Sequence, residues 1–380
     1  MTQNELKLQM VAKTNVGQVR EHNEDNFIVT SDVEAAWVVP AESYDNPTNG
    51  SIMVVADGMG GMNAGEIASK ITIDSICTFF KEGIARHLTV AERLIAAIQY
   101  AHQHILEYAQ LNPETEGMGT TVVIAYIIND KIHVAWSGDS RCYLFRGGKL
   151  SQLTKDHSYV QTLLDEGKIT KEQAFYHPQS NVIIQSLGDS ERPPVPDVVV
   201  ETLYQGDTVL LCSDGLNAML EDHAIEGFLQ NHQEDLTRCT DKLIEAANEA
   251  GGNDNITVVV NQVVAGNLYT DPPNQKPRPK SGVVLLTTGV LLALAGATFY
   301  PWIIEEWEKR QGKSKDSTTT ATAPLPQMRT PPNTGASSNG KKPPKPLGKD
   351  SSDATPETPL KDTLTLIPKV DTANAGRDAK

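Results

Sequence analysis

Cysteine is scarce in this chain: four in 380 residues, Cys77, Cys142, Cys212 and Cys239, with no Cys-x-x-Cys pair and no histidine at zinc spacing. That removes a thiolate zinc site. Three of the four lie in apolar runs, as packing residues of a reducing compartment do. Positive charge is scarce in the front part, where residues 1 to 264 carry 17 Lys plus Arg against 37 Asp plus Glu, while residues 265 to 380 carry 16 against 11. So acidic a front part excludes a basic groove for nucleic acid. It suits carboxylates gathered around cations, or a solvated acidic face. The N-terminal MTQNELKLQMVAKT lacks the apolar core of a signal peptide, so the front part is expected in the cytoplasm.

The glycine-rich stretch DGMGGMNAG, residues 57 to 65, lacks the marks of two familiar phosphate binders. Counted from Gly58, a dinucleotide fingerprint needs glycine at the sixth position, which is Asn63. No Gly-Lys-Ser/Thr follows, so it is not a P-loop. What remains is an acid, Asp57, at the end of an apolar strand, where a carboxylate is costly unless it is paired or holds a metal. The alternative is a tight turn whose Asp caps the following helix.

Strands are expected at VAKTNVG, SIMVVA, TTVVIAYII, KIHVAWSG, CYLFRGG, VPDVVVE, DTVLLCS and NITVVVNQVV. Asn129-Asp130 and Gly147-Gly148 read as hairpin turns. Helices are expected over AGEIASKITIDSICTFFKEG, TVAERLIAAIQYAHQHILEYAQ and LTRCTDKLIEAANEA, the last ending at Gly251-Gly252. Hairpins with a few long helices indicate an α+β domain over residues 1 to 264, with strands packed sheet on sheet and helices outside. Two short helices within residues 156 to 180 form a candidate lid.

After residue 264 the composition changes. Residues 265 to 281 read as a Pro-rich basic linker. GVVLLTTGVLLALAGATFYPWII, residues 282 to 304, carries no charge and is long enough to span a bilayer. Tyr300, Trp302 and Trp307 sit where an aromatic belt belongs. Flanking Lys and Arg are nearly balanced, so the expected topology rests on the missing export signal: front domain cytoplasmic, tail outside. Residues 305 to 380, rich in Pro, Ser, Thr and Lys, have too little apolar content for a core.

Acids recur beside expected strands in VREHNEDN (19 to 26), SGDSR (137 to 141), CSDGL (212 to 216) and GGNDNIT (251 to 257). With DGMGG, GMGTT (117 to 121), LTKDHS (153 to 158) and HPQSN (177 to 181), this ordered set resembles the metal-dependent protein phosphatases of the protein phosphatase 2C family. The resemblance covers residues 8 to 264 and is nearest to the bacterial Ser/Thr phosphatases that oppose bacterial protein kinases. It implies two antiparallel sheets packed as a sandwich, helices on both outer faces and a two-metal cleft at one end. Carried over, Asp57 would bridge two Mg²⁺ or Mn²⁺ ions, the Gly58 carbonyl would ligate the first, and Asp214 and Asp254 would hold the second. Asp139, with Asp214, would bind the third ion that bacterial members often show. Glu24 would hold metal-bound water, with Asp25 beside it, and Arg20 would grip the substrate phosphate.

The residue types suit that chemistry. Hard divalent ions want oxygen donors, which accounts for acids without His or Cys. Two such ions lower the pKa of a bridging water enough for attack on phosphorus near neutral pH. The planar fork of arginine offers paired donors to phosphate. Met59 stands where several eukaryotic members have a histidine thought to act as general acid, which leaves the proton donor unassigned; His157 and His177 are read as structural or lid residues. The expected substrates are phosphorylated proteins, including a Ser/Thr kinase. The alternative is a membrane-tethered pseudophosphatase that binds phosphoproteins without turnover, and the exterior KKPPKP stretch could bind anionic polymers.

Overall fold

The computed structural model describes residues 6–34, 43–60 and 64–269. The expected membrane span and tail, and the linker from residue 270 on, lie outside the described residues. Among the described residues the strands are β1 (Lys7–Asn15), β2 (Asp25–Thr30), β3 (Tyr44–Asp45), β4 (Ser51–Met59), β5 (Gly119–Thr120), β6 (Val122–Ile128), β7 (Lys131–Ser137), β8 (Arg141–Arg146), β9 (Lys149–Gln152), β10 (Asp197–Thr202), β11 (Thr208–Cys212) and β12 (Ile256–Ala265). The helices are α1 (Ala64–Lys81), α2 (Val90–Leu111), α3 (Tyr159–Asp165), α4 (Lys171–Phe175), α5 (Asp214–Asn217), α6 (Asp222–Asn231) and α7 (Leu236–Glu249).

The strands form two six-membered antiparallel assemblies. One runs β3-β1-β12-β11-β8-β9; the other runs β10-β7-β6-β4-β2, with β5 paired to β4. Period-two alternation explains why their central strands are apolar throughout. On β4 and β6, Met53, Val55, Val123 and Ala125 face inward and pack with Leu211 and Val259 of the other sheet. Their neighbours Ile52, Val54, Val122 and Ile124 face outward against Phe79, Phe80, Leu94 and Ile98 of α1 and α2. The other sheet turns Tyr143, Leu210, Val258 and Val260 outward against Leu229, Leu243 and Ala247 of α6 and α7. The expected α+β sandwich with helices on both outer faces is therefore what the chain forms.

Local signals act as expected in the hairpins and long helices. Asn129 has φ 55° in the β6–β7 turn, and Gly147 and Gly148 have φ 57° and 80° in the β8–β9 turn. Thr89 and Glu92 close a capping box at the start of α2. Helices α3 and α4 occupy the lid position; α3 buries only Val160, and α4 buries nothing.

The domain does not stop at residue 264. Strand β12 runs to Ala265, and Gln205 N donates to Asn267 O at 2.8 Å. The Arg146 guanidinium lies 4.8 Å from the Tyr204 ring and 5.0 Å from the Tyr269 ring, so the packed chain continues to Tyr269.

Strand direction sets the site. Asp25 opens β2, Asp57 lies near the end of β4, Asp139 sits between β7 and β8, Asp214 follows β11 and Asp254 precedes β12. Because paired strands alternate in direction, all five chain positions fall at one end of the sandwich. Arg146 and the exit toward Tyr269 lie at the other.

Candidate metal centre

Asp25 on β2 stands directly opposite Asp57 on β4 in antiparallel register. Side chains so opposed share a face at close range, and two like charges there are destabilising unless a cation joins them. The Asp57 main chain is fixed by two threonines. Its carbonyl accepts from Thr121 N at 2.9 Å and Thr120 Oγ1 at 2.8 Å, and its N–H donates to Thr121 Oγ1 at 3.2 Å.

Gly58 brings three segments together. Its N–H donates to Glu24 O at 3.2 Å. A Cβ there would fall 2.2 Å from the Gly65 carbonyl oxygen and 2.6 Å from that of Glu24, so a side chain would push α1 off β4. The close approach at the glycine-rich stretch is thus one of backbone on backbone. Gly215, beside Asp214, has the same role: its Cβ would lie 2.0 Å from Asn255 O, next to Asp254.

The acids differ in exposure. Asp25 and Asp139 are buried, while Asp57 and Asp214 keep an edge toward solvent. Asp25 Oδ1 and Asp139 Oδ1 are buried with no hydrogen-bond partner. Burial pushes the Asp25 carboxyl up to about 8, against hydrogen bonds from Ser213 and Thr257 that favour its charge. Burial and then repulsion from Asp25, Asp214, Asp139 and Asp254 hold Asp57 well above the usual carboxylate range. Asp139 is raised by burial, then by Asp214 and Asp156. Asp214 is pushed up to about 6 by burial and Asp254, partly offset by a hydrogen bond with Asp57. Asp57 is the acid that feels all the others.

Arg20 Nη2 donates to Asp254 Oδ2 at 2.7 Å, with the arginine side chain exposed to solvent. Glu24 is half-buried beside them; burial raises its carboxyl, and Arg20 opposes that rise. Arg141 makes a forked pair with Asp156 at 2.7 to 3.1 Å, and its charge partly opposes the rise at Asp139 and Asp214. All eight sequence-predicted site residues, Arg20, Glu24, Asp25, Asp57, Gly58, Asp139, Asp214 and Asp254, therefore belong to one end of the fold. Met59 ends β4, half-buried.

His102, His104, His157 and His177 have their side-chain partners outside the five clustered aspartates. His157 Nδ1 accepts from Gly138 N at 3.2 Å, and its Nε2 lies 3.2 Å from Asp197 Oδ2, which ties the Asp139 loop to β10. His177 Nδ1 accepts from Gln179 N. His102 meets Gly188 N, whereas His104 meets Ser75 Oγ, so they face different neighbours.

Several supporting residues had no role in the sequence reading. Asn255 Oδ1 accepts from Glu24 N at 2.7 Å, and its Nδ2 donates to Val16 O and His22 O, both at 2.9 Å, bracing the Arg20 loop. Ser213 and Thr257 hold Asp25. The available signal was a polar residue at an inward position of an apolar strand, as Thr257 is in ITVVV.

These residues fit hard divalent ions. The donors are oxygen only, two buried carboxylate oxygens lack partners, and the cluster is electrostatically unfavourable without added positive charge. Among the described residues no group of three or more His, Cys, Asp and Glu side chains is already spaced to hold a metal ion by itself. That is compatible with ions such as Mg²⁺, which keep several waters in their sphere.

Residues 41–259 match the family model described as protein phosphatase 2C. The chain is 38% identical over 252 residues to the serine/threonine phosphatase stp of Listeria welshimeri, covering 65% of this chain and 93% of that protein. The crystal structure of the catalytic domain of the serine/threonine protein phosphatase PstP in complex with 2 manganese ions is 34% identical, with a TM-score of 0.56, covering 68% of this chain and 99% of that one. The crystal structure of Stp1 from Staphylococcus aureus is 32% identical, with a TM-score of 0.60, covering 69% and 98%. Fold, sequence and family match agree, and the chain belongs to the protein phosphatase 2C family.

Proposed function

We propose that the chain is a protein serine/threonine phosphatase that hydrolyses phosphoserine and phosphothreonine with two Mg²⁺ or Mn²⁺ ions. The observation that carries the metal dependence is the convergence of five aspartates at one end of the sandwich, two of them with unpartnered buried oxygens. The PstP structure with two manganese ions and the named relatives support the same reading. They lend nothing to the pseudophosphatase alternative.

When bound, the ions supply Lewis acidity toward the phosphoryl oxygens and lower the pKa of water. Asp57 would be the residue to hold both, because its carboxyl feels the charges of Asp25, Asp214, Asp139 and Asp254. Asp214 and Asp254 would hold the second ion, the Gly58 carbonyl would contribute to the first, and Asp139 with Asp214 would be the pair for a third. Arg20, exposed to solvent, would present paired donors to the phosphate. Glu24 and Asp25 would accept hydrogen bonds from water at the centre. No residue here is assigned as proton donor to the leaving alcohol.

The finer biology is also part of the proposal. Residues 282–304 anchor the chain in a membrane, with the phosphatase domain cytoplasmic and the tail outside, and the substrates include a Ser/Thr protein kinase. The support is the uncharged 23-residue run in the sequence. Among the described residues no helix is long and apolar enough to cross a membrane. The test of the catalytic reading is Asp57→Ala assayed on a phosphothreonine peptide. A loss greater than about tenfold in kcat/KM is expected, and a smaller loss would remove Asp57 from the centre of the mechanism.

A further inference from the structure

Asp25 is held by hydroxyls outside the expected acid set. Its Oδ2 accepts from Ser213 Oγ at 2.7 Å and from Thr257 Oγ1 at 2.7 Å. Ser213 Oγ accepts from Thr257 N at 2.9 Å; its other approach, 3.4 Å to Asn255 O, is too long to compete for the hydroxyl proton. Thr257 Oγ1 lies 2.8 Å from Thr14 Oγ1, which accepts from Asn23 Nδ2 at 2.8 Å.

A hydroxyl has one proton to give. Thr257 gives its proton to Asp25, so Thr14 must donate to Thr257, and Asn23 donates to Thr14. The chain of hydrogen bonds has a single direction, from Asn23 near the surface to the carboxylate. It also joins the two sheets at the acid end, since Asp25 belongs to β2 and Thr257 to β12. A carboxylate oxygen offers about two acceptor directions. Oδ2 is therefore filled, while Oδ1 is buried, has no partner, and belongs to a side chain placed opposite Asp57.

We propose that Ser213 and Thr257 are positioning residues for hydrolysis: by occupying Asp25 Oδ2 they turn Oδ1 toward the carboxylate centre, as acceptor for the attacking water. This rests on the phosphatase reading. The hydroxyls act only through Asp25, so their effect must disappear when Asp25 can no longer serve as acceptor.

The test is a double-substitution cycle in the full chain. Ser213→Ala, Thr257→Val and Thr257→Ser are each made with Asp25 intact and together with Asp25→Asn. The readouts are kcat and KM for p-nitrophenyl phosphate with Mn²⁺, and Mn²⁺ binding by calorimetry. With Asp25 intact, Ser213→Ala and Thr257→Val are expected to lower kcat about tenfold, as loss of an outer-shell partner typically does, with KM and Mn²⁺ affinity within about threefold. Thr257→Ser keeps the hydroxyl and stays within about twofold of the unsubstituted chain. With Asp25→Asn present, Ser213→Ala and Thr257→Val change kcat by less than about twofold.

Equal losses in both backgrounds, no loss in either, or loss of Mn²⁺ binding along with activity would overturn the proposal. In the last case the hydroxyls hold the metal site together rather than aim Asp25. Should Thr257→Val fail to fold, Thr14→Val removes only the exposed donor behind it, and a loss of about twofold to threefold that again vanishes with Asp25→Asn is expected. Absence of any metal-dependent hydrolysis by the unsubstituted chain would refute the phosphatase reading itself, an outcome distinct from these.

Discussion

Gly215→Ala adds one methyl group that should separate Asp214 from Asp254, the two acids proposed to share an ion, without removing either. The new Cβ would lie 2.0 Å from Asn255 O and 2.8 Å from Asn255 C, and ordinary contact begins at 3.4 Å. Backbone rather than a flexible side chain stands in the way, so α5 and the Asp254–Asn255 turn must part by about 1.4 Å to restore contact at 3.4 Å. Asp214 moves with one and Asp254 with the other. Overpacking of this kind costs about 1 to 3 kcal/mol, a Tm drop of about 2 to 12 °C for a domain of this size. A displacement of about 1 Å at a catalytic centre can cost on the order of a hundredfold. Steady-state hydrolysis of a phosphothreonine peptide at saturating Mn²⁺, with a melting curve of the same sample, measures both. Gly227→Ala is the control: in the interior of α6 its Cβ meets nothing within 4 Å, so it should add about 0.5 to 1 kcal/mol and leave activity unchanged. A folded Gly215→Ala protein retaining kcat/KM within about threefold would refute the claim that Asp214 and Asp254 work at a fixed separation.

Other consequences follow from the same geometry. Arg146→Ala leaves Asp207, 2% exposed at its side chain, without its forked partner at 2.6 to 2.8 Å; stability should fall by about 3 kcal/mol, or about 6 to 12 °C in Tm. Its kcat should stay unchanged, because Arg146 lies at the end opposite the acids, and a matching loss of activity would contradict that separation. Stripping metal should make stability pH-sensitive. Asp25, Asp57, Asp139 and Asp214 have folded-state pKa values above the ordinary 3.8, two of them pushed up to about 8 and about 6. The metal-free fold then binds more protons than the unfolded chain, so this contribution is full below about pH 4 and is lost as pH rises toward about 8. The Tm gain on adding Mn²⁺ should accordingly be larger at about pH 8 than at about pH 6, and a pH-independent gain would contradict the cluster's role. Deleting residues 282–304 should move the protein from the membrane to the soluble fraction; an unchanged distribution would remove the anchor.

Local chemistry made much of this fold legible. Asn129-Asp130 and Gly147-Gly148 announce their turns because the signals act within a few residues. The acids announced the site through their order along the chain. Strand β2 was hidden, since DNFIVT follows the charged VREHNED and becomes a strand only by pairing with β4, a tertiary effect that local propensity does not carry. Helix α6 was hidden by Gly227 and a short apolar pattern in which only Ile225 and Leu229 are buried. The Ser213–Asp25–Thr257 arrangement joins residues almost two hundred or more positions apart, so no local pattern reports it. Gly58 and Gly215 were visible as glycines, but what they approach depends on how the sheets and helices pack.

The most direct test of metal-dependent phosphatase chemistry at the five-aspartate end is phosphate release from a phosphothreonine peptide by the full chain. It is run with EDTA, Mg²⁺ or Mn²⁺, beside Asp214→Asn. Release that needs the metal and falls more than about tenfold with Asp214→Asn is the predicted result. Release undiminished by EDTA, or retained by Asp214→Asn, would contradict the account.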